Sequence, residues 1–171
     1  MEKEKIGLRS VNLTRIELND SGDYITVSAD SPTLFDGFVA GFRHITGLAE
    51  MLPGKMEEIE KRYEGREDFA AAMDKVLELS GVNVDFSKEA SETIDGIFGE
   101  GTVKKYFRDV YEEIPDFMPD AECVVDFFEQ ITPVIEKLFN RKVERQMADS
   151  KARMAKYQPQ DHKKPQRKGT K

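Results

Sequence analysis

Residues 30–52, DSPTLFDGFVAGFRHITGLAEML, decide the fold class. Leu34, Phe35, Phe38, Phe42, Ile45 and Leu48 recur three and four residues apart, which places one apolar stripe on a helix through about Leu52. Asp30-Ser31-Pro32 supplies the start, a polar cap and then a proline at the first turn, where its missing N–H does no harm. Gly37, Gly41 and Gly47 each weaken this helix by about 1 kcal/mol relative to alanine. The Gly37/Gly41 pair also leaves a side narrow enough for another backbone to approach, most simply one from the same chain.

Upstream, the chain has the pattern of a hairpin. Val11 and Leu13, then Ile16 and Leu18, supply near-alternating apolar positions, and Tyr24-Ile25-Thr26-Val27 is rich in strand formers. Asn19-Asp20-Ser21-Gly22-Asp23 lies between them as a turn, with Gly22 free to take positive φ. Two strands alone are marginal in water, so the hairpin must lie against helices or pair with another chain.

Downstream, glycine and proline divide the chain into shorter helices. Pro53-Gly54 marks a break. The next helix spans Lys55–Tyr63, with Met56, Ile59 and Tyr63 on one side. Another spans Arg66–Ser80, with Phe69, Met73, Val76 and Leu77 inward and Gly81 as its stop. Val82–Phe86 is expected as an extended link. Ser87 caps a helix carrying Ala90, Ile94, Ile97 and Phe98 that ends at Gly99, and Thr102 restarts one containing Val103, Tyr106, Phe107 and Val110. Ile114-Pro115 and Met118-Pro119 interrupt it, because a residue before proline is pushed out of the α region. Asp116 or Asp120 then caps the last and longest helix. Its stripe is Val124, Phe128, Ile131, Ile135 and Leu138, flanked by Val125, Phe127, Val134 and Phe139, and Pro133 is expected to bend it. The fold class is therefore mainly α: an N-terminal β-hairpin followed by about six helices, the last long and running into a basic tail.

Charge divides the chain in two. Residues 141–171 hold 3 of the 33 acidic and 11 of the 26 basic side chains, so a body near −15 is joined to a tail near +8. The organisation expected is a helical body with its hairpin over 1–140 and a basic helical extension and tail over 141–171. From about Gln158 the tail is too polar to bury a core and is expected to be disordered. At 171 residues the chain is long enough for one domain with a real core and hardly for two. The single Cys123, set among Ala121, Val124 and Val125, excludes an internal disulfide and has the surroundings of a small buried hydrophobe. No apolar segment follows the charged start Met1-Glu2-Lys3-Glu4-Lys5, and no run approaches the ~20 apolar residues of a membrane span. A cytoplasmic location away from any membrane follows as the expectation.

The residues that could carry chemistry do not converge. Beside carboxylates, only His44, His162 and Cys123 are available as metal ligands, and His162 lies in the tail. No serine or cysteine has a recognisable base and orienter. Glu57/Glu58, Glu67/Asp68 and Glu112/Glu113 sit in charge-dense stretches of the kind that form solvated faces. Gly99-Glu100-Gly101-Thr102-Val103-Lys104-Lys105 superficially suggests a phosphate loop, but it lacks the Walker spacing and follows no strand. Two helices joined by a tight turn account for it. The expectation is a protein that is not an enzyme and needs no cofactor or metal. The basic tail has a single aromatic, Tyr157, and no broad apolar face, so a nucleic-acid arm and a membrane-surface helix both fit poorly. An arm that meets an acidic partner needs only the charge it has. Lys151, Arg153, Lys163, Lys164, Arg167 and Lys168 would supply that charge.

One stretch resembles a known family. Residues 92–107, ETIDGIFGEGTVKKYF, are similar to a segment of the tail assembly chaperones of long-tailed phages and prophages of Gram-positive bacteria. That segment is an acidic amphipathic helix, an Ile-Phe-Gly-x-Gly-Thr turn and a basic-aromatic helix. The opening strand, residues 19–26 (NDSGDYIT) and Phe35 and Phe38 in the helix that follows extend the resemblance to about residues 10–140. The resemblance implies a small, helical, non-catalytic protein that coats the aggregation-prone tape-measure protein and recruits tail-tube subunits. It also implies absence from the finished virion and, in many of these phages, a longer frameshifted form, with which Lys163-Lys164 is compatible.

Phe35, Phe38, Phe42, Phe127, Phe128 and Phe139 are the candidate anchors, divided between core and client-facing roles, and self-association of the chain is a further expectation. Two alternatives remain open. A structural tail component, such as a tube or connector subunit, would pair hairpins between protomers, although a tube subunit ordinarily has many strands. A nucleic-acid-binding regulator would need the tail and would show a steep salt dependence.

Overall fold

The computed structural model describes residues 12–156. Its elements are β1 (Leu13–Glu17), β2 (Tyr24–Ser28), α1 (Leu34–Tyr63), α2 (Phe69–Phe98), α3 (Thr102–Tyr106), α4 (Arg108–Glu113) and α5 (Ala121–Lys156). The mainly helical class with an N-terminal hairpin is as expected, with five helices in place of about six. Val11, and the tail from Gln158 onward, lie outside the described residues.

The strands form a two-stranded antiparallel sheet in which Ile16 faces Ile25 and Thr14 faces Val27. Strand alternation then puts Ile16, Ile25 and Val27 on one buried face. Gly22 takes φ +84° at the turn, as its position requires. Asn19 Nδ2 donates to Asp23 Oδ2 at 2.9 Å and to the Lys105 carbonyl at 2.6 Å, and Arg108 Nη1 reaches Asp23 Oδ2 at 2.8 Å. The hairpin is thus fastened to the α3–α4 segment by its turn and to the helices by its apolar face.

Two expected breaks are absent. In α1, Phe38, Ile45, Leu52 and Ile59 recur every seventh residue and are all buried, so the seam toward α2 runs straight past Pro53. A proline inside a helix costs roughly 3 kcal/mol through its lost hydrogen bond and ring clash. Pro53 and Gly54 lie on the exposed side, and the continuous seam outweighs that cost. The expected Lys55–Tyr63 helix is therefore the second half of α1. Likewise Gly81 does not stop α2, and Val82–Phe86 is helical. Phe86 is buried and Val82 packs against the core, so burial against α1 overrides the strand preference of the Val-Asn-Val run. Ser87, expected as a cap, is buried in the middle of this helix.

Helix boundaries show where capping chemistry operates. α1 begins at Leu34 after Thr33, and no side chain caps it. α2 begins at Phe69, three residues later than Arg66, because Asp68 accepts the Ala71 N–H at 2.9 Å. Its end at Gly99 (φ +111°) is as expected, and Gly101 (φ +81°) opens α3. Asp95 spans this turn: Oδ2 accepts from Gly101 N at 2.9 Å and Oδ1 from Val103 N at 3.1 Å. The helix expected from Thr102 through Val110 divides at Phe107 into α3 and α4. Asp120 caps α5 by accepting the Cys123 N–H at 2.9 Å, and α5 then continues through Pro133 to Lys156.

α1 and α2 form an antiparallel pair closed by the Glu64–Asp68 connection. His44 Nε2 meets Glu89 Oε1 at 2.7 Å midway, and Arg62 and Tyr63 both meet Glu78 near the tip. The Glu78 bond holds the Tyr63 phenol above its usual range. At Gly41 a Cβ would stand 2.5 Å from Ile97 Cδ1 and 3.0 Å from Thr93 Cγ2, whereas one at Gly37 or Gly47 would meet nothing. The close approach expected of this helix is therefore intramolecular and belongs to Gly41 alone. Gly41→Val is expected to destabilise the fold by about 1–2 kcal/mol even after its gain in helix propensity, and Gly47→Ala to stabilise it by up to about 1 kcal/mol, both read by urea denaturation.

Candidate partner-binding surface

The six anchor phenylalanines separate into two classes. Phe127 and Phe128 are 1% exposed and Phe38 is 9% exposed, so these three are core. Phe42 and Phe139 are exposed and Phe35 is half-buried. The exposed rings are still held by partners. Phe139 meets Phe35 edge-on with centroids 5.2 Å apart, and Phe42 meets Phe128 at 5.4 Å. Lys142 Nζ stands 5.2 Å over the Phe35 ring, an exposed cation–π contact worth about 0.5–1 kcal/mol.

Two of the accessible rings, Phe35 and Phe139, line a groove of about 550 Å³ where the first turns of α1 lie against the middle of α5. Its floor is Phe38 and Ile135, its apolar walls are Phe35, Val39 and Phe139, and its rim carries Asp36, Glu136, Thr132 and Asn140. An open apolar trough with polar edges accepts the anchors of an amphipathic helix. Carboxylates on both banks favour a helix with lysine or arginine beside those anchors. Val39 is exposed and was not among the sequence candidates. The signal for it was present: Phe35, Val39 and Phe42 stand four and three residues apart, a second stripe beside the core stripe.

A second apolar surface lies at the far end of the α1–α2 pair. Phe69, Met73, Val76 and Leu77, expected to face inward, face solvent: Phe69 is 81% exposed, Val76 59% and Leu77 64%. Periodicity placed them correctly on one side of a helix but on the wrong side of α2. Ala71 is the buried residue there, and the seam toward α1 continues through Leu79, Val82 and Phe86.

The basic candidates are only partly placed. Lys151 and Arg153 are exposed on the last turns of α5, where every residue from Glu144 to Lys156 is exposed. Lys163, Lys164, Arg167 and Lys168 lie outside the described residues. Arg145 reaches back to Asp30 at 3.7 Å. A groove of about 580 Å³ between β1 and α5 is lined by Leu13, Leu138, Arg141, Glu144 and Arg145, with charges of both signs at its mouth.

Cys123 is half-buried, and burial, reinforced by the hydrogen bond and charge of Asp120, pushes its thiol up, so little thiolate is present at neutral pH. Among the described residues no three His, Cys, Asp or Glu side chains gather as a metal site, and no helix is long and apolar enough to cross a membrane. Comparison with protein-family models, with curated proteins and with solved structures finds no match to this chain. Phe127→Ala is expected to cost about 3–5 kcal/mol in urea denaturation, and Phe139→Ala about 1 kcal/mol, the worth of an edge-on ring pair at a surface.

Proposed function

We propose that this protein is a non-enzymatic chaperone of phage tail assembly that holds helical segments of a tape-measure protein and brings tail-tube subunits to them. The observation that carries the reading is the α1–α5 groove, in which Phe35, Val39 and Phe139 remain accessible on an otherwise acidic body. A chaperone of a long apolar client needs exposed greasy surface together with charge that keeps the free protein from aggregating. Each protomer would bind weakly and reversibly, and many copies along one client would add avidity. The resemblance of the Glu92–Phe107 segment supplies the phage context, with Asp95 holding its turn. Such work would take place in the host cytoplasm during virion assembly.

Coexpression with a tape-measure fragment tests the reading. The fragment should become soluble and co-purify with the wild-type chain, and the yield should fall several-fold with Val39→Glu or Phe139→Glu, which alter the groove and spare its floor. A fragment that stays insoluble while nothing co-purifies would count against the proposal.

A further inference from the structure

The two ends of the molecule carry complementary surfaces that cannot meet within one chain. The tip of the α1–α2 pair, residues 50–80, holds nine acidic and five basic side chains and bears the exposed stripe Phe69, Met73, Val76 and Leu77. The projecting end of α5, residues 141–156, holds six basic and two acidic side chains. Met147 and Met154, two turns apart on one side of it, are 61% and 70% exposed. An acidic apolar face thus stands at one end and a basic helix with an apolar seam at the other.

Their placement follows from the ring contacts. Phe35 against Phe139 and Phe42 against Phe128 set α1 antiparallel to α5. From those contacts α1 continues from Phe42 to Tyr63, about 32 Å, in one direction. α5 continues from Phe139 to Lys156, about 25 Å, in the other. Because α5 is one unbroken helix, its end cannot fold back on the arm of its own chain.

We propose that the arm stripe is covered by the basic end of α5 from a second copy of this chain, so that copies associate head to tail. The two surfaces are different patches, which makes the contact heterologous, and each added copy presents a fresh arm and a fresh extension. Each junction, one short helix along another, buries less than the roughly 1,200 Å² of a stable pair, so association depends on concentration. Opposite net charge at the junction makes it weaken with salt. The inference is independent of the chaperone reading, because it concerns the purified chain alone and leaves the α1–α5 groove free.

Sedimentation of the full chain with two double variants at exposed positions tests it. Lys151→Glu with Arg153→Glu removes the extension's charge, and Val76→Ser with Leu77→Ser removes the stripe. Unchanged far-UV circular dichroism establishes that each variant is folded. The wild-type mass should climb past that of a dimer as concentration rises at about 50 mM salt and fall back at about 500 mM. Each variant alone should sediment as a monomer. An equal mixture should form a dimer and stop there, since one variant keeps a competent arm and the other a competent extension. Three results would overturn the proposal: a wild type that is monomeric at every concentration, growth that ends at a dimer, or variants that associate as the wild type does. The first of these, found with the arm holding a tape-measure fragment, would assign the stripe to that client instead.

Discussion

Four phenylalanine rings join the three long helices. Phe38 of α1 lies 6.3 Å from Phe98 of α2, Phe98 lies 5.8 Å from Phe127 of α5, and Phe128 closes the circuit to Phe127 at 5.5 Å and to Phe38 at 5.8 Å. Tilted and edge-on contacts of this kind add about 0.5–1.5 kcal/mol each to the area that the rings bury. Tyr106 extends the cluster to α3 through Phe127 at 5.0 Å, and the hairpin lies over it with Ile16, Ile25 and Val27. The other elements are positioned by how far they reach from this centre. α1 and α2 leave it together and support each other by their shared seam. α5 leaves it alone: Arg145 still reaches Asp30, but beyond it the described residues have only the helix's own backbone hydrogen bonds, so its end belongs to the low-stability part of the fold.

The same centre fixes what is left exposed. With Phe38, Phe127 and Phe128 committed to the core, their neighbours Phe35, Val39 and Phe139 fall on the shoulder where α1 and α5 diverge, and a groove opens between them. Its acidic rim and the acidic body keep copies of this surface from meeting one another. The basic charge is segregated to the one helix that projects away from it. Apolar surface and net charge are therefore arranged together: greasy patches occur where like charges protect them or where opposite charge can select what covers them.

Local chemistry made the hairpin and its Gly22 turn and the Gly99–Thr102 connection legible in the sequence, and narrowed the α5 cap to Asp116 or Asp120, because each rests on a few adjacent residues. The long-range seams were not legible. Pro53-Gly54 and Gly81 have the composition of breaks, and only the seven-residue recurrence of Phe38, Ile45, Leu52 and Ile59 across the proline indicates otherwise. The Val82–Phe86 run has strand formers whose burial against α1 a local reading cannot see. Phe69, Met73, Val76 and Leu77 were identified as a stripe, but direction depends on which face a neighbouring helix occupies, and that neighbour takes Ala71 instead. Asp95 was missed as the residue that closes the 99–102 turn, since a carboxylate within an acidic amphipathic helix carries no mark of the N–H groups it will accept.

Site-specific photo-crosslinking measures the central claim most directly. A photo-reactive residue in place of Val39, on the wall of the α1–α5 groove, should form a covalent adduct with a helical tape-measure fragment on irradiation. The same residue at Ile114, an exposed apolar position in the segment between α4 and α5, should form none. Equal adducts at both positions, or none at Val39, would contradict the account of a groove built to hold another polypeptide's helix.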